Sequence, residues 1–219
     1  MPANPQELSR LAQYAQLGIG YQTDASARVL LSLKRIIDEA SEVLHPEKIL
    51  IDTSPFFGGA THLAWAAADA LIIPVRVDQH SIEALRLTLR MLRSDDMDFH
   101  RFNRQAGIIN RPKVHAIAMT HCGWNRQHKN TPDSSTRFFV QKAIEIAKEH
   151  KELFSESDVT NCFYLLDDFH SSGRISGKQR IPLSKLDKGR KFMVDGQRLE
   201  VNPSVDRYKR EMQNLTAAL

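Results

Sequence analysis

The sequence has 219 residues, 42% hydrophobic and 26% charged, with 30 Lys and Arg against 26 Asp and Glu. These values describe a globular chain of one domain, or two, long enough to bury a core, and they exclude collagenous and low-complexity classes. The start, MPANPQELSRLAQYAQ, has neither the charged opening nor the apolar run of a signal peptide. No stretch approaches the ~18 continuous apolar residues of a membrane-spanning helix, so a cytoplasmic protein with no membrane partner is expected.

In chain order, residues 1–26 are polar, with a short helix-like piece around Leu8 to Leu17. From Ser26 the apolar positions Val29, Leu30, Leu33, Ile36 and Ile37 recur at helical spacing and stop before His45-Pro46. Lys48 to Asp52 (KILID) predicts a short, fully buried strand ending in a carboxylate. Thr61 to Asp69 is Ala-rich and helical, and Leu71 to Val75 is a second all-apolar strand. Ser81 to Arg93 is an amphipathic helix with Ser81 as its expected N-cap.

Ser94 to Pro112 is polar and charge-mixed and reads as a loop. Val114 to Met119 is a third strand, residues 120–134 a long polar loop, Ser135 to Lys151 a long helix, and Cys162 to Leu166 a fourth strand. Gly173 to Leu186 is broken by Gly and Pro. Residues 190–200 suit a hairpin around Asp195-Gly196, the best two-residue turn signal in the chain. Pro203 to Leu215 closes with a helix. Short apolar strands alternating with amphipathic helices predict an α/β fold, a mostly parallel, Rossmann-like three-layer sheet, in a single domain spanning 1–219 with no internal repeat.

Two cysteines, Cys122 and Cys162, form no CxxC pattern and are expected to be reduced, partly buried thiols. The net charge of +4 is unevenly spread. Between Lys178 and Arg210 ten basic residues face four acidic ones, so this segment is where a polyanion would bind.

The segment richest in chemistry is Lys48 to Leu85, KILIDTSPFFGGATHLAWAAADALIIPVRVDQHSIEAL. In parallel sheets ligands sit at the carboxyl ends of strands, so Asp52 is expected to face a crevice, where a carboxylate can hold Mg²⁺ through water. Pro55 and Gly58-Gly59 would give a sharp exit and a mobile loop. A strand ending in D-T-x-P, a Gly-containing loop, an Ala-rich helix ending in A-A-A-D and a strand reading I-I-P-V resemble the ParA/MinD partition ATPases, a P-loop family. Ser81, Glu83 and Leu85 in the next helix match the family's spacing, and Arg180–Pro182 is similar to its late R-x-P segment.

The resemblance spans most of residues 26–219, densely over 48–85 and sparsely after 120. It implies ATP and Mg²⁺ as cofactors, a homodimer that sandwiches ATP, a ParB-like partner that stimulates hydrolysis, and non-specific DNA binding at the nucleoid. It assigns Asp52 to magnesium, Thr53 and Pro55 to a nucleotide-responsive switch, and Thr120 and Pro182 to the adenine side. Lys178, Arg180, Lys188, Arg190 and Lys191 become the DNA-binding candidates, in a plasmid- or chromosome-partitioning protein.

One part of the family pattern is missing. Its phosphate loop, K-G-G-x-x-G-K-[ST], has no counterpart in these 219 residues; the early Leu17-Gly-Ile-Gly20 carries no following Lys-Ser or Lys-Thr. The family places that loop about 80–100 residues ahead of the D-T-x-P strand, whereas 51 residues precede Asp52. The expectation is an N-terminally incomplete form, unable to hydrolyse ATP alone, whose sheet has unpaired backbone where the loop-bearing strand would lie beside 48–52 and 71–75. Residues 1–25 or another chain are the alternative fillers.

Two other functions stay open, a non-catalytic module binding DNA or a partner on the same scaffold, and a MinD-like membrane positioner. The mixed charges of Pro203–Leu215 speak against the second. The nine histidines, among them His115, His121 and His128, lack metal-ligand spacing. Trp65 reads as core and Trp124 as surface packing, with stacking on a base as its sharper alternative.

Overall fold

The computed structural model describes residues 23–53, 58–125 and 131–218. They form the helices α1 (Thr23–Leu30), α2 (Ser32–Leu44) and α3 (Gly59–Ala67), strand β1 (Ala70–Arg76), α4 (Gln79–Arg93), α5 (Asp98–Gln105) and strand β2 (Lys113–Cys122). There follow α6 (Ser134–Glu149), β3 (Phe163–Asp167), α7 (His170–Gln179), the hairpin β4 (Lys191–Val194) and β5 (Gln197–Glu200), and α8 (Val205–Ala217). The expected α/β class is therefore observed, with one three-stranded parallel sheet in the order β1-β2-β3 and a separate two-stranded antiparallel sheet.

The chain divides into two compact units, Met1–Leu71 with Thr88–Lys113, and Ile72–Leu87 with Val114–Leu219. In the first, Leu30, Leu63 and Phe102 form a buried cluster with Leu33, Ala106 and Ile108 packed on it. The stretch expected to be a loop contains α5, because Phe99 and Phe102 lie three apart on one face and both are buried. Trp65 meets the Phe99 ring edge-on at 5.4 Å, a core position as expected.

His62 and His100 are buried in the same region. His62 Nε2 pairs with Asn103 Oδ1 at 3.0 Å, and His100 Nε2 with the Leu92 carbonyl at 2.6 Å. Burial holds the His62 imidazole below its ordinary value, against the raising effects of Asn103 and Asp98. A group with a lowered folded pKa stabilises fully above its unfolded value and loses that contribution as pH falls through the folded one. The first unit is thus expected to lose stability on acidification below about pH 6.5, and His62→Gln to flatten that loss in urea melts followed against pH.

The predicted strand Lys48–Asp52 is not a strand. Its backbone belongs to no ladder, and its apolar side chains are open to solvent, Ile49 at 48% and Leu50 at 80% exposure. Apolar residues alone do not make a strand, since each N–H and C=O also needs a neighbouring backbone. No strand of the described residues offers one.

In the second unit β2 is the central strand, with Val114, Ala116, Ile117 and Met119 fully buried. It outruns its predicted end at Met119 by three residues, and its register with β3 shifts between Met119 and Cys122. β1 is an edge strand: Val77 N–H donates to the Thr120 carbonyl, so alternate residues from Val77 back to Leu71 face β2. Ala70, Ile72, Pro74 and Arg76 then direct their backbone groups to the open side, where Pro74 has no N–H to offer.

α4 begins two residues before its predicted cap, and the cap is Asp78, whose Oδ1 accepts from Ser81 N–H at 2.8 Å. Asp133 caps α6 in the same way, accepting from Thr136 N–H at 2.7 Å. The segment expected to be broken by glycine instead contains α7. Gly173 sits inside it because a Cβ there would come within 3.2 Å of the Phe169 Cβ, and Ile175 anchors the helix in a core of Leu186, Val194, Val201, Val205 and Tyr208. The hairpin forms as predicted, with Asp195 and Gly196 at φ 50° and 78°.

Candidate functional site

The three parallel strands end at Arg76, Cys122 and Asp167, and charged and imidazole side chains lie at or just past those ends. Three features mark this edge. The register shift at the end of β2 places His121 at φ 59°, a left-handed conformation that costs an L-residue energy, and His170 after β3 is at φ 45°. Asp168 ties the second histidine down: its Oδ1 accepts from His170 N–H at 2.9 Å and its Oδ2 lies 3.3 Å from His170 Nδ1. That backbone hydrogen bond holds the Asp168 carboxyl below its ordinary range, with His170, His121 and Arg76 adding to the effect.

Asp168 and His170 are in contact at this edge, Arg76 and His121 act on the Asp168 carboxylate electrostatically, and Asp78 lies 3.5 Å from Arg76 Nε. An imidazole oriented by a carboxylate is suited to proton transfer or to hydrogen-bonding a ligand, and Arg76 supplies a fixed cation. Gly123 follows at the same edge; a Cβ there would collide with the Asp133 carboxylate. Its N–H instead donates to Thr136 Oγ1 at 2.8 Å, binding the segment after β2 to the first turn of α6.

Behind this exposed row lies a buried one. Arg207 on α8 donates from Nη2 to Asp167 Oδ2, and its Nε stands 3.6 Å from Glu211 Oε1. Asp167 N–H donates to Glu211 Oε2 at 2.8 Å. The guanidinium also lies over the rings of Trp124, at 5.1 Å, and Tyr208, at 5.8 Å. Trp124 is therefore packed, the plainer of its two sequence readings.

The residues singled out from sequence fall in different places. Asp52 and Thr53 are exposed in irregular chain of the first unit, not at the end of a sheet strand; Pro55 lies outside the described residues. Thr120 is at the carboxyl end of β2, where its carbonyl accepts from Val77 at 3.1 Å. Pro182 is exposed after α7 and starts the turn Leu183–Lys185. The carboxyl-edge set of Arg76, His121, Asp168 and His170 was missed, although Cys162–Leu166 is an apolar run followed by two carboxylates, the signal that drew attention to Asp52.

The basic candidates lie around the hairpin. Lys178 pairs with Asp195 at 3.2 Å and Lys191 with Glu200 at 3.4 Å, both solvent-exposed. Such pairs contribute about 0–1 kcal/mol. Arg180 ends α7 at φ 53°, and Arg190 stacks over Phe192 at 5.0 Å. Arg180, Lys188, Arg190 and Arg198 make no ion pair with a described residue and are exposed.

Both cysteines are buried and free, and burial pushes the Cys122 thiol up to about 12, so it is inert. His115 is satisfied by Ser155 and the Ala218 carbonyl, while His128 lies outside the described residues. Among the described residues no group of three or more His, Cys, Asp or Glu is arranged to hold a metal ion, and no helix is long and apolar enough to cross a membrane. Compared with protein-family models, curated proteins and solved structures, the chain shows no match.

Proposed function

We propose that this chain is a ParA-like ATPase-family protein of plasmid or chromosome partitioning, in a form that carries the scaffold without the phosphate loop. The observation that carries the reading is the ordered run from Lys48 to Leu85, with D-T-x-P, the glycine loop, A-A-A-D and I-I-P-V at family spacing. Beside it stand two features of the described residues, the mostly apolar strand β1 at a sheet edge and Lys48–Asp52 outside any ladder.

On this reading ATP and Mg²⁺ belong to the intact protein. Asp52 holds the magnesium through water, Thr53 and Pro55 respond to nucleotide, and Thr120 and Pro182 flank the base. The dimer and a ParB-like partner belong to that state too, and the protein works in the cytoplasm at the nucleoid. A second reading, a non-catalytic module binding DNA or a partner, is favoured by one fact, the absence of K-G-G-x-x-G-K-[ST] from the 219 residues.

Both readings predict salt-sensitive retention on any duplex. Reversing Arg190 and Lys191 to Glu is expected to lower the slope of log affinity against log salt by about two, at all sequences alike. Retention with an unchanged slope removes the proposed patch.

A further inference from the structure

We infer that Asp167 and Glu211 together hold a single proton beside the Arg207 guanidinium, and that this proton latches α8 to the end of β3 and, through Trp124, to the segment after β2. The inference stands apart from the nucleotide reading, which gives these residues no role. It rests first on a charge count. Two carboxylates, each with a side chain only 8% exposed, face one guanidinium that is 24% exposed. With both ionised the buried cluster would hold one negative charge without a counter-charge, an arrangement proteins avoid by keeping a proton.

The geometry places that proton within the pair. Glu211 Oε2 is occupied by Asp167 N–H, and Arg207 Nη2 by Asp167 Oδ2. Glu211 Oε1 is fully enclosed and has no hydrogen-bond partner, with Arg207 Nε nearest at 3.6 Å. A carboxylate oxygen so placed can carry a hydrogen without displacing any bond.

The groups facing the pair are few. Arg207 lowers both carboxyls, His170 on the β3 turn lowers Asp167 and Arg210 on α8 lowers Glu211, the last two from exposed positions. From β2 the Cys122 thiol, and from α8 the Tyr208 phenol, are each pushed up to about 12 by burial, so neither contributes charge. Burial raises both carboxyls above their ordinary range against these opposing charges. The pair titrates as one unit, its uncharged share favoured by the fold. Raised carboxyls stabilise fully below their unfolded values and lose that contribution as pH rises through the folded ones, so the latch is closed at lower pH and opens upward.

Trp124 reports the latch directly, since its ring touches Arg207. The chain has two tryptophans, so Trp65→Phe leaves Trp124 as the single indole. Its emission and the far-UV circular dichroism are followed from about pH 5 to 9. The expected result is one titration of emission where the helical signal is unchanged, lost or displaced by about one unit or more in Glu211→Gln, which fixes the neutral form. Asp167→Asn is the second variant should that one not fold. In the unmodified chain, urea stability is expected to fall as pH rises through the same titration. Emission that is flat, that follows unfolding only, or that titrates identically in both variants overturns the shared proton.

Discussion

Arg207→Ala is expected to destabilise the chain by about 3–5 kcal/mol at neutral pH, because it leaves the charge of the enclosed Asp167–Glu211 pair without its partner. The guanidinium is the counter-charge of the Asp167–Glu211 pair, and it lies over the Trp124 and Tyr208 rings. The loss is expected to shrink on acidification, as both carboxyls take up protons, and denaturant melts at two pH values measure it. Arg207→Lys should recover only part, since an ammonium cannot reach both carboxylates with fixed geometry or stack flat on an indole. A loss under 1 kcal/mol at neutral pH would mean that the cluster holds no net charge to neutralise.

Phe99→Ala is expected to cost about 3–5 kcal/mol, the range for emptying a buried aromatic site. Phe99 is 2% exposed, with Trp65 at 5.4 Å, His62 at 5.0 Å and His100 at 5.1 Å between ring centroids. Its removal opens a cavity beside two buried imidazoles, so the variant should also be more sensitive to acid than the parent. Thermal melting at neutral and mildly acidic pH reads both effects, and a cost below 1 kcal/mol would show that α5 does not pack where described.

The two variants mark where sequence reading succeeds and where it stops. A strand with two buried faces, such as β2, announces itself as an apolar run, β1 does so although one of its faces is largely open, and Asp195-Gly196 announces its own turn because few residues accept its backbone. α5 was invisible: DFHRFNRQ has only two apolar residues, and their burial depends on α1 and α3, far away in the chain. α7 was hidden for a related reason, since Gly173 and Gly177 weaken helix propensity and only the packing of Ile175 and close approach to Phe169 restore it.

Lys48–Asp52 shows the converse error, a segment with strand composition but no partner strand to complete it. The site followed the same pattern. Thr120, expected at the end of its strand, lies within β2 two residues before Cys122, because the strand continues past the apolar run that ends at Met119. The carboxyl-edge cluster was not seen, because His121, Asp168 and His170 become neighbours only through the parallel pairing of β2 with β3 and two left-handed backbone positions. The Arg207 latch joins residues 40 positions and more apart, which no local pattern encodes.

The partition-ATPase reading makes one demand that sets it apart from every binding-module alternative. On that reading a phosphate loop is encoded ahead of Lys48. Sequencing the DNA upstream of the Met1 codon tests this most directly. The expected result is a K-G-G-x-x-G-K-[ST] motif, in frame or separated from this frame by a single break, about 80–100 codons ahead of Asp52. Unrelated upstream sequence with no such motif in any frame, together with a 219-residue chain that folds and binds DNA alone, would contradict it.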